Sequence, residues 1–317
     1  MVEIDQIVNR CWFLAGATAS GKTGVSIKLA DAIDAEIISM DSMAIYRNMD
    51  VGTAKPSAQE RSQIPHHLID ICDPNENFST SQFYDAARAC VGEIWERGKT
   101  VLFVGGTALY LKTLLRGLFE GPPADWDFRK EIEDEVAEMG EEFLHQRLQM
   151  VDPVAAHQLH PNDHRRIIRA LEVFKVTGKP LSHLQLEFDN KTNPEHCRVF
   201  ALRHDRAILH QRIEQRVTTM FEKGLLEEVA LIQKNFDSLS RTAAQAVGYK
   251  EAIDHLNGDM TLDEAIERVR IRTRRFARHQ ETWFRGLHEC EMIDLPAKFD
   301  QDATVSLLLE KGQQRQV

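Results

Sequence analysis

Gly16-Ala17-Thr18-Ala19-Ser20-Gly21-Lys22-Thr23 fits the phosphate-binding pattern G-x-x-x-x-G-K-[ST] at every fixed position. An apolar run, Cys11, Trp12, Phe13 and Leu14, precedes it, and a helix-like stretch from Val25 to Ile33 follows. Strand, glycine turn and helix start are the setting this loop requires. The glycines let backbone N–H groups converge on an anionic oxygen, and the helix N-terminus adds its positive end. Lys22 is suited to an outer phosphate, and the Thr23 hydroxyl to Mg²⁺. The stretch therefore reads as a diphosphate or triphosphate site. It leaves open whether phosphate is transferred, hydrolysed or discarded.

Outward from the loop, strands and helices alternate. Glu36 to Ser39 reads as a short strand ending at Asp41, and Ser81 to Arg97 as a helix through Phe83, Ala87, Val91 and Ile94. Thr100 to Val104 is a further strand, turning at Gly105-Gly106-Thr107 into a helix through Leu115. Such alternation implies an α/β fold, a parallel sheet with ligands at the carboxyl ends of its strands. Asn48 to Pro74 has little periodicity and reads as a long loop, functional or disordered, with His66-His67 in its packing or in a polar pocket wall rather than a metal site.

Gly121-Pro122-Pro123 marks a break, after which the pattern is helical. Phe128, Ile132, Val136, Met139 and Phe143 repeat at threes and fours along one helix face, and Asp163 caps a helix bearing Ile167, Leu171 and Phe174. The expected organisation is a P-loop core over 10–120, a helical insertion over 121–196, and the rest of the core over 197–317. The second core segment opens with a strand at Arg198 to Leu202. Helices follow from Leu209 to Lys223 and from Thr261 to about Leu287, and the tail beyond Lys311 reads as loose.

The 317 residues carry a formal net charge of −10, which argues against indiscriminate nucleic-acid binding by the whole surface. Yet arginine is concentrated in the helix from Thr261. On an ideal wheel Leu262, Ile266, Val269, Phe276 and Trp283 form its apolar stripe, with Arg268, Arg272, Arg275 and His279 on one flank and Arg270, Arg274, Arg278 and Arg285 on the other. This points to an anionic partner, against a helix laced by surface ion pairs. No stretch approaches the roughly 18 apolar residues of a membrane span, so no membrane association is expected. Five dispersed cysteines fit free thiols in a cytoplasmic protein.

Asp41 stands at a strand end beside the loop, where a carboxylate serves as a base or metal ligand, or merely caps a turn. Thr107 follows two glycines that permit close backbone approach to a ligand, or form a tight turn. Arg212 and Arg216, four apart, offer guanidinium forks to a diphosphate, or form a solvated basic face with Glu214 or Glu222. His157, His160 and His164 have helical spacing, but Pro161 interrupts them and no zinc site is expected.

Together these stretches resemble the tRNA dimethylallyltransferase (tRNA isopentenyltransferase) family. The matching segments are Gly16 to Thr23, Asp41 to Pro56, Pro65-His66-His67-Leu68-Ile69-Asp70, Gly105 to Tyr110, Asp163 with Arg165 to Glu172, Val247 to Glu251, and Arg278 to Arg285. The resemblance implies transfer of a dimethylallyl group from dimethylallyl diphosphate to N6 of adenine 37 in tRNA. It implies Asp41 as the base, Thr107 against the adenosine, and Arg216 with the loop and Mg²⁺ at Thr23 on the leaving diphosphate. It also implies contact with the anticodon stem-loop through Asp41, Ser42, Met43, Ala44, Thr107, Arg129, Arg165, Arg166, Ile167, Ile168, Arg169, Gln245, Ala246, Val247, Gly248, Tyr249, Lys250, Arg278 and Gln280. A monomer gripping one tRNA is the expected working form.

Three positions depart from the family pattern. Ala17 replaces a usual Pro, Ala44 replaces a frequent Gln whose amide would meet the adenine, and His279 alters the Arg-Gln-x-Thr-Trp form. Two other enzyme classes share the loop. One is an adenylate isopentenyltransferase, which needs no RNA grip. The other is a small-molecule kinase that uses the helical insertion as a lid. A third alternative, an RNA-binding protein with a relict loop, conflicts with the intact Lys22, Thr23, Asp41 and Thr107.

Overall fold

The computed structural model describes residues 2–118, 121–186 and 194–315. Its first stretch holds α1 (Ile4–Arg10), β1 (Trp12–Gly16), α2 (Lys22–Ala32), β2 (Ala35–Ser39), α3 (Ala58–Gln63), β3 (His66–His67), α4 (Thr80–Glu96), β4 (Thr100–Gly105) and α5 (Ala108–Arg116). There follow α6 (Trp126–Met139), α7 (Glu141–Val151), α8 (Pro153–Gln158), α9 (His164–Thr177) and α10 (Leu181–Leu186). The last stretch holds β5 (Arg198–Arg203), α11 (Arg206–Glu222), α12 (Leu225–Asn235), α13 (Arg241–Ala244), α14 (Tyr249–Leu256), α15 (Leu262–Gly286), β6 (Glu291–Asp294) and α16 (Gln301–Gln313). Two units are formed: one from Met1–Leu115 with Thr192–Val317, the other from Arg116–Lys191.

The first unit is built on a six-stranded sheet in the order β3-β2-β4-β1-β5-β6, with every pairing parallel. β1 lies between β4 and β5 and is buried along its whole length, which is why it reads as an unbroken apolar run rather than an alternating one. Phe13 stacks on Phe103 of β4 at 5.0 Å between ring centroids. Against the sheet pack Val25 and Leu29 of α2 and Val305 and Leu308 of α16.

Register decides where the chemistry can be. Ala15 is opposite Gly105, and Ser39 is opposite Val104, so β1, β4 and β2 finish level. The turns after them, at Gly16, Asp41 and Thr107, leave the same sheet edge with strands about 4.8 Å apart. Gly105 is the tight point: a Cβ there would lie 2.1 Å from the Met40 carbonyl oxygen.

The second unit is helical, with Phe128, Ile132, Leu144, Leu148, Ile167 and Leu171 in its core. The apolar face read as one helix is divided. Gly140, at φ +88°, separates α6 from α7, and Met139 is exposed. The far boundary expected near residue 196 follows residues 187–193, which lie outside the described ones.

Other expectations are corrected. The loop over 48–74 contains α3, and His66-His67 form an edge strand on β2. Helices α12 and α14 and strand β6 were not read from the sequence. The stripe on α15 is displaced: the buried residues are Ala265, Val269, Thr273, Ala277, Gln280 and Phe284, while Leu262, Phe276 and Trp283 are exposed. The tail is docked, not loose, as far as residue 315. Gly312 packs so closely on the Trp12 indole that a Cβ would fall 1.8 Å from it. Arg315 donates to the Cys197 carbonyl at 2.7 Å and pairs with Glu291. Residues 316 and 317 lie outside the described ones.

Gly105→Ala is expected to lower unfolding stability by at least about 2 kcal/mol, because the obstructing atoms are backbone and cannot rotate away. Urea denaturation of the two proteins measures the difference.

Candidate active site

The P-loop follows β1 with Ala19 at φ +63° and Gly21 at φ +90°, an arrangement that turns successive amides inward ahead of α2. The Lys22 ammonium folds back over it, donating to the carbonyls of Gly16 and Ala17, each at 2.8 Å. Loss of water around the ammonium pushes its pKa down to about 8; the Asp41 carboxylate opposes this, and the Arg216 cation adds to it. Arg212 donates to the Ala19 carbonyl at 2.7 Å, and His204, buried, donates through Nε2 to the Ser20 carbonyl at 3.2 Å. Arg212 is thus turned to the loop and not to Glu214 or Glu222. Neither Arg212 as a loop buttress nor His204 was legible, since both lie nearly two hundred residues away in sequence.

Asp41 caps its turn and keeps one carboxylate oxygen out of that cap. Its Oδ1 accepts from the N–H groups of Met43 (2.8 Å) and Ala44 (3.3 Å), closing a local turn. Its Oδ2 accepts no hydrogen bond among the described residues. Thr107 Oγ1 accepts from the Ser42 N–H at 3.0 Å and donates to Ser42 Oγ at 3.3 Å, while the Thr107 N–H donates to the Met40 carbonyl. The two turns therefore hold one another. Arg216 donates to the Thr53 carbonyl at 3.1 Å; burial lowers its pKa, and the Asp41 carboxylate offsets part of that shift.

The loop over 48–56 is fixed by groups that local reading missed. The Glu228 carboxylate accepts from the N–H groups of Asp50, Val51 and Gly52 and from the Tyr249 hydroxyl at 2.6 Å. Lys55 is buried between Asp50 and Asp70. Gly52 has no room for a side chain, since a Cβ would fall 2.3 Å from the Tyr249 ring.

Several residues expected on an RNA surface lie inside. Ile167 and Ile168 belong to the core of the helical unit, and Ala246 and Tyr249 to that of the first unit. Arg129 and Arg169 are both bonded to Glu172, whose side chain is fully buried. Burial alone would raise that carboxyl's pKa, but the two guanidinium groups outweigh it and hold it below the usual range. Gln280 is also buried, with both ends of its amide bonded to the active-site turns. Arg165, Arg166, Gln245, Lys250 and Arg278 are exposed, as are Arg268 and Arg275. No helix among the described residues is long and apolar enough to cross a membrane.

A family model described as IPP transferase matches residues 44–287. The chain is similar to tRNA dimethylallyltransferase of Geobacter metallireducens, 44% identical over 292 residues that cover 92% of this chain and 94% of that protein. Its counterpart from Rhodopirellula baltica is 46% identical over 87% and 85%. Among solved structures, the full-length tRNA isopentenylpyrophosphate transferase of Bacillus halodurans matches with a TM-score of 0.68 at 38% identity, over 96% of this chain and 98% of that one. A eukaryotic dimethylallyltransferase acting on tRNA matches with a TM-score of 0.77 at 27% identity, over 96% and 80%.

The lowered Lys22 pKa has a sign that binding can test. An anion needs the ammonium, and the free protein loses that proton as pH rises through about 8. Pyrophosphate affinity, followed by calorimetry, should fall in this range by up to about tenfold per pH unit more steeply than in Lys22→Ala. The variant retains only the ionisation of the ligand and of other groups.

Proposed function

The chain belongs to the IPP transferase family, and we propose that it transfers the dimethylallyl group of dimethylallyl diphosphate to N6 of adenine 37 in tRNA. The observation that carries this reading is the side-by-side placement of a phosphate loop, the free Oδ2 of Asp41 and the Thr107 turn. Beside the loop, Asp41 supplies the proton acceptor, and Thr107 the hydroxyl, that alkyl transfer to a weak nucleophile calls for.

The exocyclic amine attacks poorly because its lone pair is delocalised into the purine ring. Asp41 Oδ2 accepts the N6 proton as the N6–C1 bond forms and the C1–O bond to diphosphate breaks. Oδ1, held by two amides, keeps the carboxylate oriented for this. Charge builds on the departing diphosphate, and Lys22, the loop amides and Arg216 are in place before it appears. No phosphoryl group moves. Thr107 lies against the adenosine and keeps the Asp41 turn in position.

The oxygen donor at Thr23 fits a hard cation. The Thr23 hydroxyl opens the first turn of α2 and makes no hydrogen bond among the described residues, so it is available to Mg²⁺. Thr23 would hold Mg²⁺ there, and the ion would offset the negative charge of the diphosphate.

Adenine 37 is stacked in the anticodon loop and must be extruded to reach Asp41, at a cost of a few kcal/mol. Exposed Arg165 and Arg166 on the helical insertion, and Gln245, Lys250, Arg268, Arg275 and Arg278 on the first unit, supply the grip. One chain serves one tRNA, in the cytoplasm.

Labelled dimethylallyl diphosphate offered with Mg²⁺ should mark unmodified tRNA bearing adenine at 36 and 37, and leave AMP, ADP and ATP unlabelled. Label in the free nucleotide would reassign the chain to adenylate alkylation. Asp41→Ala should reduce tRNA labelling by a factor on the order of 10³, with tRNA affinity retained. An equal loss of both would remove Asp41 from the chemistry. Charge reversal at Arg165 and Arg166 should act on the other term, weakening tRNA binding and flattening its salt dependence by about one phosphate contact per arginine.

A further inference from the structure

Gln280 lies on the inner face of α15, 6% exposed, between the two turns that carry the chemistry. Its Oε1 accepts from the Thr18 N–H of the P-loop at 2.9 Å. Its Nε2 donates to the Gly106 carbonyl, one residue before Thr107, at 2.8 Å. A Cβ on Gly106 would fall 2.4 Å from that same Nε2, so the glycine and the amide are fitted to each other. Two residues before Gln280, and one before it, Arg278 and His279 face solvent.

We infer that Gln280 is a positioning residue for prenyl transfer, which fixes the leaving-group cradle at a set distance from the acceptor-side turn. A primary amide suits this place because one end accepts and the other donates. The P-loop presents an N–H and the Gly106 turn presents a carbonyl, and no other uncharged side chain of that length serves both. Displacement of either turn separates C1 of the donor from N6 of the acceptor, and errors of about 1 Å in such placement cost on the order of 10²-fold in rate. The bridge also links two functions of one helix. Its outer arginines face solvent where tRNA would lie, and its inner amide holds the loop where diphosphate leaves. The inference rests on the diphosphate reading of the P-loop and separates Gln280 from the residues that touch tRNA.

The test is steady-state prenyl transfer together with direct tRNA binding by the full chain. Gln280→Ala should lower kcat at least about tenfold and leave the Kd for tRNA within about twofold. Gln280→Glu keeps an acceptor for the Thr18 N–H but sets a carboxylate against the Gly106 carbonyl. Its deficit, relative to wild type at the same pH, should shrink as pH falls and the protonated acid regains the donor. That recovery is a readout a loosened fold would not give, so it holds even if the alanine variant is unstable. Gly106→Ala should resemble Gln280→Ala, and the double variant should be no worse than the worse single one.

A rise in tRNA Kd matching the loss of kcat/KM would make Gln280 an RNA contact and overturn the inference. So would a Gln280→Ala kcat within twofold of wild type, or a Gln280→Glu deficit independent of pH. Lys22→Ala tests the underlying reading separately: an unchanged KM for dimethylallyl diphosphate would remove the cradle, whatever the Gln280 variants do.

Discussion

Three strands that end level govern the rest of the molecule. With β2, β4 and β1 in parallel register, their following turns emerge at one edge within about two strand spacings. The close approach of Gly105 to the Met40 backbone sets how near the Asp41 and Thr107 turns can come. Around that edge later elements add restraints from outside: α11 through Arg212 and Arg216, β5's following turn through His204, and α15 through Gln280. Most of these restraints end on backbone carbonyls. The loop is therefore held largely through its carbonyls, with the Thr18 N–H, taken by Gln280, as an amide that is also engaged.

What could be read from the sequence was what is local. The P-loop, the Asp41 turn and the Gly105-Gly106-Thr107 turn each declare themselves within eight residues, and the strand–helix alternation supplies the parallel sheet. The displaced face of α15 shows where such reading fails. A hydrophobic wheel turns the largest apolar residues inward, yet the buried row has Ala265, Thr273 and Ala277 in it. Small residues let this helix approach α11 and β1 closely, and packing rewards fit over size. Thr273 is buried without penalty because its hydroxyl returns to the Val269 carbonyl, and Gln280 because both ends of its amide are bonded. Neither exemption is visible without the partners.

The arginines illustrate the same distinction electrostatically. A net charge of −10 made each basic cluster look reserved for an anion. In the helical unit, however, Arg129 and Arg169 neutralise the buried Glu172. Breaking such a buried pair from one side costs about 3–5 kcal/mol, while exposed pairs contribute little. Arg129 and Arg169 thus belong to the fold's interior economy of charge, whereas Arg165 and Arg166 on the same stretch of chain face water.

The seal between Gly312 and Trp12 bears on how the protein is made. The first strand cannot be completed by its neighbour β5 until nearly two hundred residues have followed, and its indole is covered only when the last helix docks. Synthesis proceeds at about 5–20 residues per second, so the central strand spends many seconds without its full complement of partners. The sheet cannot be complete before β6 has left the ribosome, nor Trp12 sealed before Gly312 has followed it. The core of the helical unit, by contrast, draws only on residues between 128 and 181 and needs nothing made later.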